Sequence, residues 1–358
     1  MDQDSETSSP SQDAEARPKA PAPTVSNISV GLMISGIVAF LVLLNAVSLL
    51  ARFDWRWDLL THFRFQYLVV FAVATPSLWL LRWRRMAMIA MAGLLLNAWF
   101  VLPIYLPSSD TRRAAELQAD AQAPSLMVLH FNVHTSNARK QDVAAMIQTS
   151  GADVVFLQEI NRAWVDALDA ELAGYESVLI DPRSDNFGIG MWLRAGSVVT
   201  VRQARLVDVS DGRAQVNAID ATLEVSGGAS VRILAMHTLP PLSGDYASAR
   251  DAQLAGAGAV AQSTQGPFVL IGDLNATPWS ASYRRLVKAG GLTDSLRGRA
   301  GWPTHAPGAS WPAGLVSLGM IPIDHCLTAG GAVVVERRLG DATGSDHQPM
   351  MVEVGLVD

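Results

Sequence analysis

Long uncharged runs crowd the first third of the chain, and short alternating runs fill the rest. Residues 1–24 are rich in Ser, Pro, Ala and Asp and carry almost no large apolar side chain. Such a segment cannot offset its chain entropy by burial, so it is expected to be a disordered polar tail. It has neither the basic start nor the early cleavage site of a secretory signal, and the pattern predicts that it stays attached. The stretch 27–51 then runs without a charge. That exceeds the roughly 20 residues that cross a hydrocarbon core. Runs at 65–81, containing Pro76, and at 86–106, ending near Trp99, Phe100 and Tyr105, predict two further spans. The bland alternative, a buried soluble helix, fits the short second run best. A membrane domain with three transmembrane helices over residues 25–106 is the expectation.

The link Arg82–Arg85 (RWRR) is short and basic, which favours the cytoplasmic side. The first link and everything beyond Leu106 then lie outside. That describes a multi-pass protein of the inner (cytoplasmic) membrane with a periplasmic or extracytoplasmic C-terminal domain. Arg52, Arg56 and Arg64 in the first link, and Arg112 and Arg113 after the third span, pull the other way.

Residues 107–124 are polar and Ala-rich and read as a linker or short helix. From residue 125 to 358 the periodicity changes. LMVLHFNV (126–133) and DVVFLQEI (153–160) read as strands, with helical spacing between them at 138–149. Further strands are predicted at 176–180, 188–194, 198–209, 214–225, 230–236, 267–271, 322–328, 331–337 and 349–356. Helices are predicted near 164–172, 245–263 and 279–289. Many adjacent strands with a few helices imply an α/β (α+β) fold in which two face-to-face sheets are covered by helices. There is no internal repeat and no glycine-rich phosphate loop.

Bulk composition narrows the classes. With formal charge −6 and pI ≈ 5.6, the chain lacks the basic footprint of a bulk nucleic-acid binder. The mean hydropathy of +0.21 is high for a soluble chain, and its source is the apolar first third. Cys326 is the single cysteine, so no intrachain disulfide can form and a zinc site built on thiolates is excluded.

Chemistry gathers at strand ends. Asn132 sits within HFNV, Glu159 ends FLQEI, and His237 follows VRILAM. Asp273 and Asn275 follow FVLIG, Asp324 and His325 interrupt IPIDHCL, and Asp346 and His347 precede the last strand. Each alone has a dull reading: a bulge, a solvated carboxylate, a core imidazole, a turn. In DLN, however, strand periodicity aims Asp273 and Asn275 to one side. Together these strand ends offer many groups compatible with a metal or a phosphate.

FNV, LQE, the lone His of MHTLPP, GDLNATP, IDH and GSDHQP, in that order, resemble the endonuclease/exonuclease/phosphatase superfamily. Its members include DNase I-like nucleases, abasic-site endonucleases, inositol-phosphate phosphatases and bacterial sphingomyelinases. The resemblance covers about 125–357 and implies a four-layer α/β/β/α sandwich. NFGIGMWLR (186–194) is similar to the family's glycine-containing strand. By resemblance, Glu159 would be the chief ligand of Mg²⁺ (or Mn²⁺), with Asn132 completing or orienting the shell and Asp346 on the metal side. Asp273 would orient or deprotonate the attacking water and Asn275 would hold a phosphoryl oxygen. His237 would donate to the phosphate, and His347 would contact it, held in one tautomer by Asp324. Whether His347 or Asp273 is the base stays open. His325 reads as structural.

Three spans ahead of such a domain resemble membrane-bound bacterial members, the YafD-like and VanJ-type proteins. The implied function is a membrane-anchored, metal-dependent phosphoesterase acting on a lipid pyrophosphate or a phospholipid headgroup. Its expected partners are the bilayer and a phosphate-ester substrate, with nucleic acid less favoured. The segment before IDH lacks the long basic or aromatic insertions with which DNA-cutting members grip a duplex. A membrane-tethered nuclease and a non-catalytic module that keeps the fold are the competing readings. Specificity is expected in loops near 181–187, 239–246 and 301–320, the last with Trp302, Pro303, Trp311 and Pro312.

Overall fold

A computed structural model describes residues 25–119, 123–299, 304–305 and 319–357. The expected tail at 1–24 and most of the expected specificity loop at 301–320, with Trp302, Pro303, Trp311 and Pro312, lie outside the described residues.

The apolar third forms α1 (Val25–Ser48), α2 (Trp55–Thr61), α3 (Arg64–Leu80) and α4 (Arg84–Tyr105). By length and composition, Ile28–Ser48 and Arg84–Gln118 are each able to cross a membrane. The middle span qualifies only when α2 and α3 are taken as one unit bent by 52°. The first link is therefore more structured than its sequence suggested. Asp54 accepts the Arg56 N–H at 2.8 Å and starts α2 inside it. The segment read as a linker or short helix holds a helix, α5 (Ser109–Ala119).

Arg64 is buried where α1, α3 and α4 meet. It donates to Asn45 Oδ1 (3.1 Å), Ser48 Oγ (2.8 Å) and Asn97 Oδ1 (3.3 Å), and its guanidinium lies 4.2 Å from the Phe100 ring centroid. A polar cluster between apolar helices fixes their register, because an unmatched polar group there is costly. Arg64→Met is expected to cost about 2 kcal/mol by stranding these acceptors. Thermal unfolding of the detergent-solubilised chain checks this; an unchanged midpoint would refute it.

The strands are β1 (Ser125–Asn132), β2 (Val154–Gln158), β3 (Tyr175–Asp181), β4 (Ile189–Arg194), β5 (Val199–Val207) and β6 (Ala218–Val225). They continue as β7 (Ser230–Ala235), β8 (Phe268–Asp273), β9 (Thr293–Asp294), β10 (Asp324–Ala329), β11 (Ala332–Leu339) and β12 (Met350–Leu356). The strand expected from 214 begins at Ala218, because Gln215 turns the chain at φ 53°. One sheet has the order β11-β12-β1-β2-β4-β3 and the other β5-β6-β7-β8-β10-β9. The two sheets pack face to face, each covered on its outer face by helices.

Alternation explains the layering. Leu126, Val128, Val154 and Phe156 of the first sheet meet Ile233, Ala235, Val269 and Ile271 of the second in the central core. The intervening Leu129, Phe131, Val155 and Leu157 face α6 (Lys140–Ser150) and α7 (Arg162–Glu171). Leu234, Leu270 and Leu327 face α8 (Gly244–Ser263) and α9 (Ala281–Gly290). Strands buried on both faces read as near-continuous apolar runs, as their sequences do. The parallel pairs β1–β2 and β7–β8 bring four C-terminal strand ends to one end of the sandwich.

Candidate active site

The site lies where the central core runs out. Along β1, Leu126 and Val128 point between the sheets, and His130 and Asn132 continue that face. Along β2 the series Val154, Phe156 ends in Gln158. Ile233 and Ala235 lead to His237, and Val269 and Ile271 lead to Asp273. Leu274 turns into the outer core, as Leu270 does. On β10 the order is reversed: Asp324 precedes Cys326, which is in the central core. Polar groups thus replace apolar ones on the same strand faces at one end.

Gln158 ties the sheets together across the floor of this end. Its Nε2 donates to the Met236 carbonyl at 2.7 Å, and its Oε1 accepts the Asp273 N–H at 3.2 Å. Gly272 sits at φ 147°, and a Cβ there would meet the Met236 oxygen at 1.9 Å. The motif therefore needs glycine before the aspartate.

Asp324 is fully buried between two imidazoles, with His130 Nε2 at 2.9 Å from Oδ1 and His347 Nδ1 at 2.8 Å from Oδ2. Burial works against its charge, yet the facing imidazoles hold its carboxyl well below the usual range. Burial likewise opposes a charged His347, but the carboxylates of Asp324, Asp273 and Asp346 push it up to about 10. Asp273 Oδ2 lies 3.5 Å from His237 Nε2 and 3.7 Å from His347 Nε2, and Oδ1 accepts the Asn275 N–H at 2.8 Å. Its carboxyl is held low against burial by its bond to His237. Asn275 donates from Nδ2 to the Thr238 carbonyl at 2.8 Å.

Glu159 is half-buried, at φ 62°. Its oxygens accept from Asn132 Nδ2 at 3.0 Å and from the Thr135 N–H at 3.2 Å. Asn132 presents its nitrogen, not its oxygen, to Glu159, while its oxygen accepts the His134 N–H at 3.1 Å. In this geometry it braces the glutamate. Non-glycine residues with left-handed backbone cluster here: His134, Glu159, Asn186 and Asn275. Such strain persists where the surroundings over-determine it, and functional sites are the commonest place.

Asp346 Oδ2 lies 3.6 Å from His305 Nε2, which draws its carboxyl down to about 2 against the effect of burial. The final loop is fixed by Ser345, whose hydroxyl donates to the Asn132 carbonyl at 2.7 Å and accepts the His347 N–H at 3.0 Å. Two side-chain groups among the described residues could hold a cation: His305–Asp346–His347 and Asp273–Asp324–His347. Glu159 stands outside both. It nonetheless shares one cleft with Asp346, and carboxylate oxygens with room for water suit a hard divalent ion.

That cleft has a volume of about 730 Å³, within the range of small-molecule sites. Glu159, His237, Asp273, Asn275, Asp346 and His347 all line it. Asn132 and Asp324 stand behind them. His325 does not face the cleft: it is buried, bonded to the Ala276 carbonyl at 2.8 Å and packed against the tilted ring of Tyr283. Sequence reasoning gave no role to His130, Gln158 or His305. The first two were legible as the next same-face positions of β1 and β2.

Leu59, His62 and Phe63, from the link between the first two apolar helices, also line the cleft. Asp58 anchors that link. It accepts from Ser280 Oγ (2.7 Å) and the Ala281 N–H (2.8 Å) at the start of α9, and lies 3.3 Å from Arg250 Nη2. Arg250 in turn donates to the Asn275 carbonyl at 3.3 Å.

Residues 129–347 match the profile of the Endonuclease/Exonuclease/phosphatase family. Among solved structures the chain is similar to D. rerio TDP2 complexed with single strand DNA product, at 17% identity over 66% of this chain and 99% of that one, with a TM-score of 0.52. It is also similar to the endonuclease/exonuclease/phosphatase from Bacteroides vulgatus, at 18% identity over 65% and 99% of the two chains, with a TM-score of 0.52. The human Nocturnin catalytic domain with bound sulfate anion gives 17% identity over 66% and 96%, with a TM-score of 0.50. At these identities the likeness establishes the fold. No curated protein matches the chain in sequence. The family profile covers more than half of the 358 residues and spans the strand ends from Asn132 to His347, and so the chain belongs to the Endonuclease/Exonuclease/phosphatase family.

Proposed function

We propose that the chain is a membrane-anchored, metal-dependent phosphoesterase whose substrate is a lipid pyrophosphate or a phospholipid-type phosphate ester. Members of the family act as metal-dependent phosphoester hydrolases, nucleases among them. The observation that carries this reading is the convergence of Glu159, His237, Asp273, Asn275, Asp346 and His347 on one cleft that abuts the apolar helices. A catalytic site tethered beside a bilayer meets lipid at high effective concentration.

Glu159 and Asp346 would hold Mg²⁺ or Mn²⁺, with Asn132 bracing Glu159. When bound, such an ion neutralises phosphate charge and stabilises the leaving oxygen. Asp273, between two imidazoles, orients the attacking water for in-line displacement. Asn275, His237 and His347 offer donors to the phosphoryl oxygens as charge shifts onto them. Asp324 acts through His347, whose ring it fixes. The formal charge of −6 disfavours a nucleic-acid polyanion, whose backbone needs a basic surface beyond the cleft.

The helix arrangement supports the topology read from the arginines. Asp58 and Gln66 touch the sandwich, whereas Gly31 packs on Trp83, next to Arg84 and Arg85, at the far end of the bundle. We place that far end in the cytoplasm and the sandwich outside the inner membrane. Protease added to intact spheroplasts should then cleave beyond residue 110 only from the outer face.

For activity, the full chain in detergent with Mg²⁺ should release phosphate from a lipid pyrophosphate or cleave a phospholipid headgroup. EDTA should stop the reaction and Mg²⁺ should restore it. Turnover of DNA alone would overturn the proposal.

A further inference from the structure

We infer that the link between the first two apolar helices is a wall of the substrate site: His62 bonds the phosphate-bearing headgroup, and Leu59 and Phe63 guide the lipid's apolar chain toward the bilayer. The inference rests on the phosphoesterase reading of the cleft. It adds that the anchor contributes side chains to recognition, so the anchor is more than a tether.

Three observations carry it. First, the link is seated and not merely near: Asp58, 3% exposed, closes the start of α9 and meets Arg250, which is 1% exposed. Arg250 also holds the Asn275 carbonyl, so the link and a phosphate-site residue share one support. Second, His62 is 5% exposed and lines the cleft, and its buried Nε2 has no hydrogen-bond partner. Leaving a buried ring nitrogen unpaired costs free energy, and a turn of the His62 ring that brings it to a phosphate or glycerol oxygen in the cleft would relieve that cost. Third, the cleft is mixed in character. It is lined by carboxylates and imidazoles, but also by Leu59 and Phe63 of the link and by Phe187 and Leu242. Phe63 is 41% and Leu242 78% exposed, an unusual cost beside so polar a site. α3 starts at Arg64, so this apolar rim continues directly into the membrane helices. A polar site with an apolar exit into a bilayer fits an amphiphile with a terminal phosphate. It does not fit a free sugar phosphate or a nucleic-acid backbone.

The test uses the full chain in lipid nanodiscs and measures occupancy with phosphonates that cannot be hydrolysed. In Phe63→Cys, the introduced thiol is alkylated; Cys326 stays silent because burial pushes its thiol up to about 12. A prenyl phosphonate and a two-chain diacyl phosphonate are compared with methylphosphonate, which has the headgroup and no chain. At ten times its dissociation constant, a chain-bearing ligand should slow alkylation about tenfold by mass action. The chain type that protects distinguishes a prenyl from a diacyl substrate. Methylphosphonate should leave the rate within about twofold. His62→Ala should weaken binding of the protecting phosphonate about tenfold, the loss of one charged hydrogen bond, and His62→Gln should restore most of it. If chain-bearing ligands protect no better than methylphosphonate, the wall is refuted. If His62→Ala folds and binds as tightly as the parent, its contact is refuted. If the ligands protect but no phosphate ester is ever turned over, the proposed reaction fails and the wall stands.

Discussion

Replacing Glu159 with glutamine is expected to lower Mg²⁺-dependent phosphate release by about a thousandfold or more, equivalent to roughly 4 kcal/mol of transition-state stabilisation. The substitution keeps volume and most hydrogen bonding, so Asn132 Nδ2 and the Thr135 N–H still find an acceptor oxygen. What it removes is one of the carboxylates lining the cleft, the one that with Asp346 would hold the cation. A hard divalent ion loses far more from a missing charge than a neutral contact would. The backbone at Glu159 is already left-handed, and glutamine meets the same restriction, so stability should change little. Circular dichroism melting and Mg²⁺ titration of the rate check this together. A native melt, a rate within tenfold of the parent and an unchanged Mg²⁺ requirement would move the metal to His305, Asp346 and His347.

The fold was legible because its strands are buried on both faces and its helices cover them. Runs such as VVFLQ and FVLIG declare themselves by continuous apolarity. Which residue faced which layer was also recoverable: Asp273 and Asn275 alternate with Leu274, and the structure puts Leu274 in the outer core. Boundaries slipped where single residues adopt left-handed backbone, as at Gln215. The site was legible by residue type but incompletely by contact. His130 sits two positions before Asn132 on one strand face, yet its pairing with Asp324 crosses from one sheet to the other and leaves no local trace. The role of the first link was not legible at all. WRWDLLTHFR shows only a link between two spans with arginines in it, because nothing local says that Asp58 meets Ala281 or that His62 reaches the cleft. Burial between distant segments is set by tertiary packing, and periodicity carries no information about it.

Asp324→Asn should reduce turnover by about a hundred- to ten-thousandfold, the scale seen when a carboxylate orienting a catalytic imidazole becomes an amide. Asp324 accepts from His130 at one oxygen and His347 at the other. An asparagine has one acceptor oxygen and one NH₂, so one imidazole must change tautomer or turn. His347 would lose the partner that fixes its ring toward Asp273 and the phosphate. The pH dependence of stability in EDTA gives an independent readout. His347 has its folded value raised to about 10, above the ordinary 6.5. Its contribution is therefore complete below about pH 6.5, declines as pH rises, and is gone above about 10. Asp324 is shifted the opposite way, so its contribution is present above about pH 4 and lost as pH falls through its depressed folded value. The advantage of the parent over Asp324→Asn should thus be widest between about pH 4 and 6.5 and shrink steadily toward pH 10. Urea unfolding of parent and variant across that range measures it. A constant gap would mean that the pair is neutral in the fold. His347 would then act as an unassisted imidazole, and the loss of turnover would have to come from displaced geometry alone.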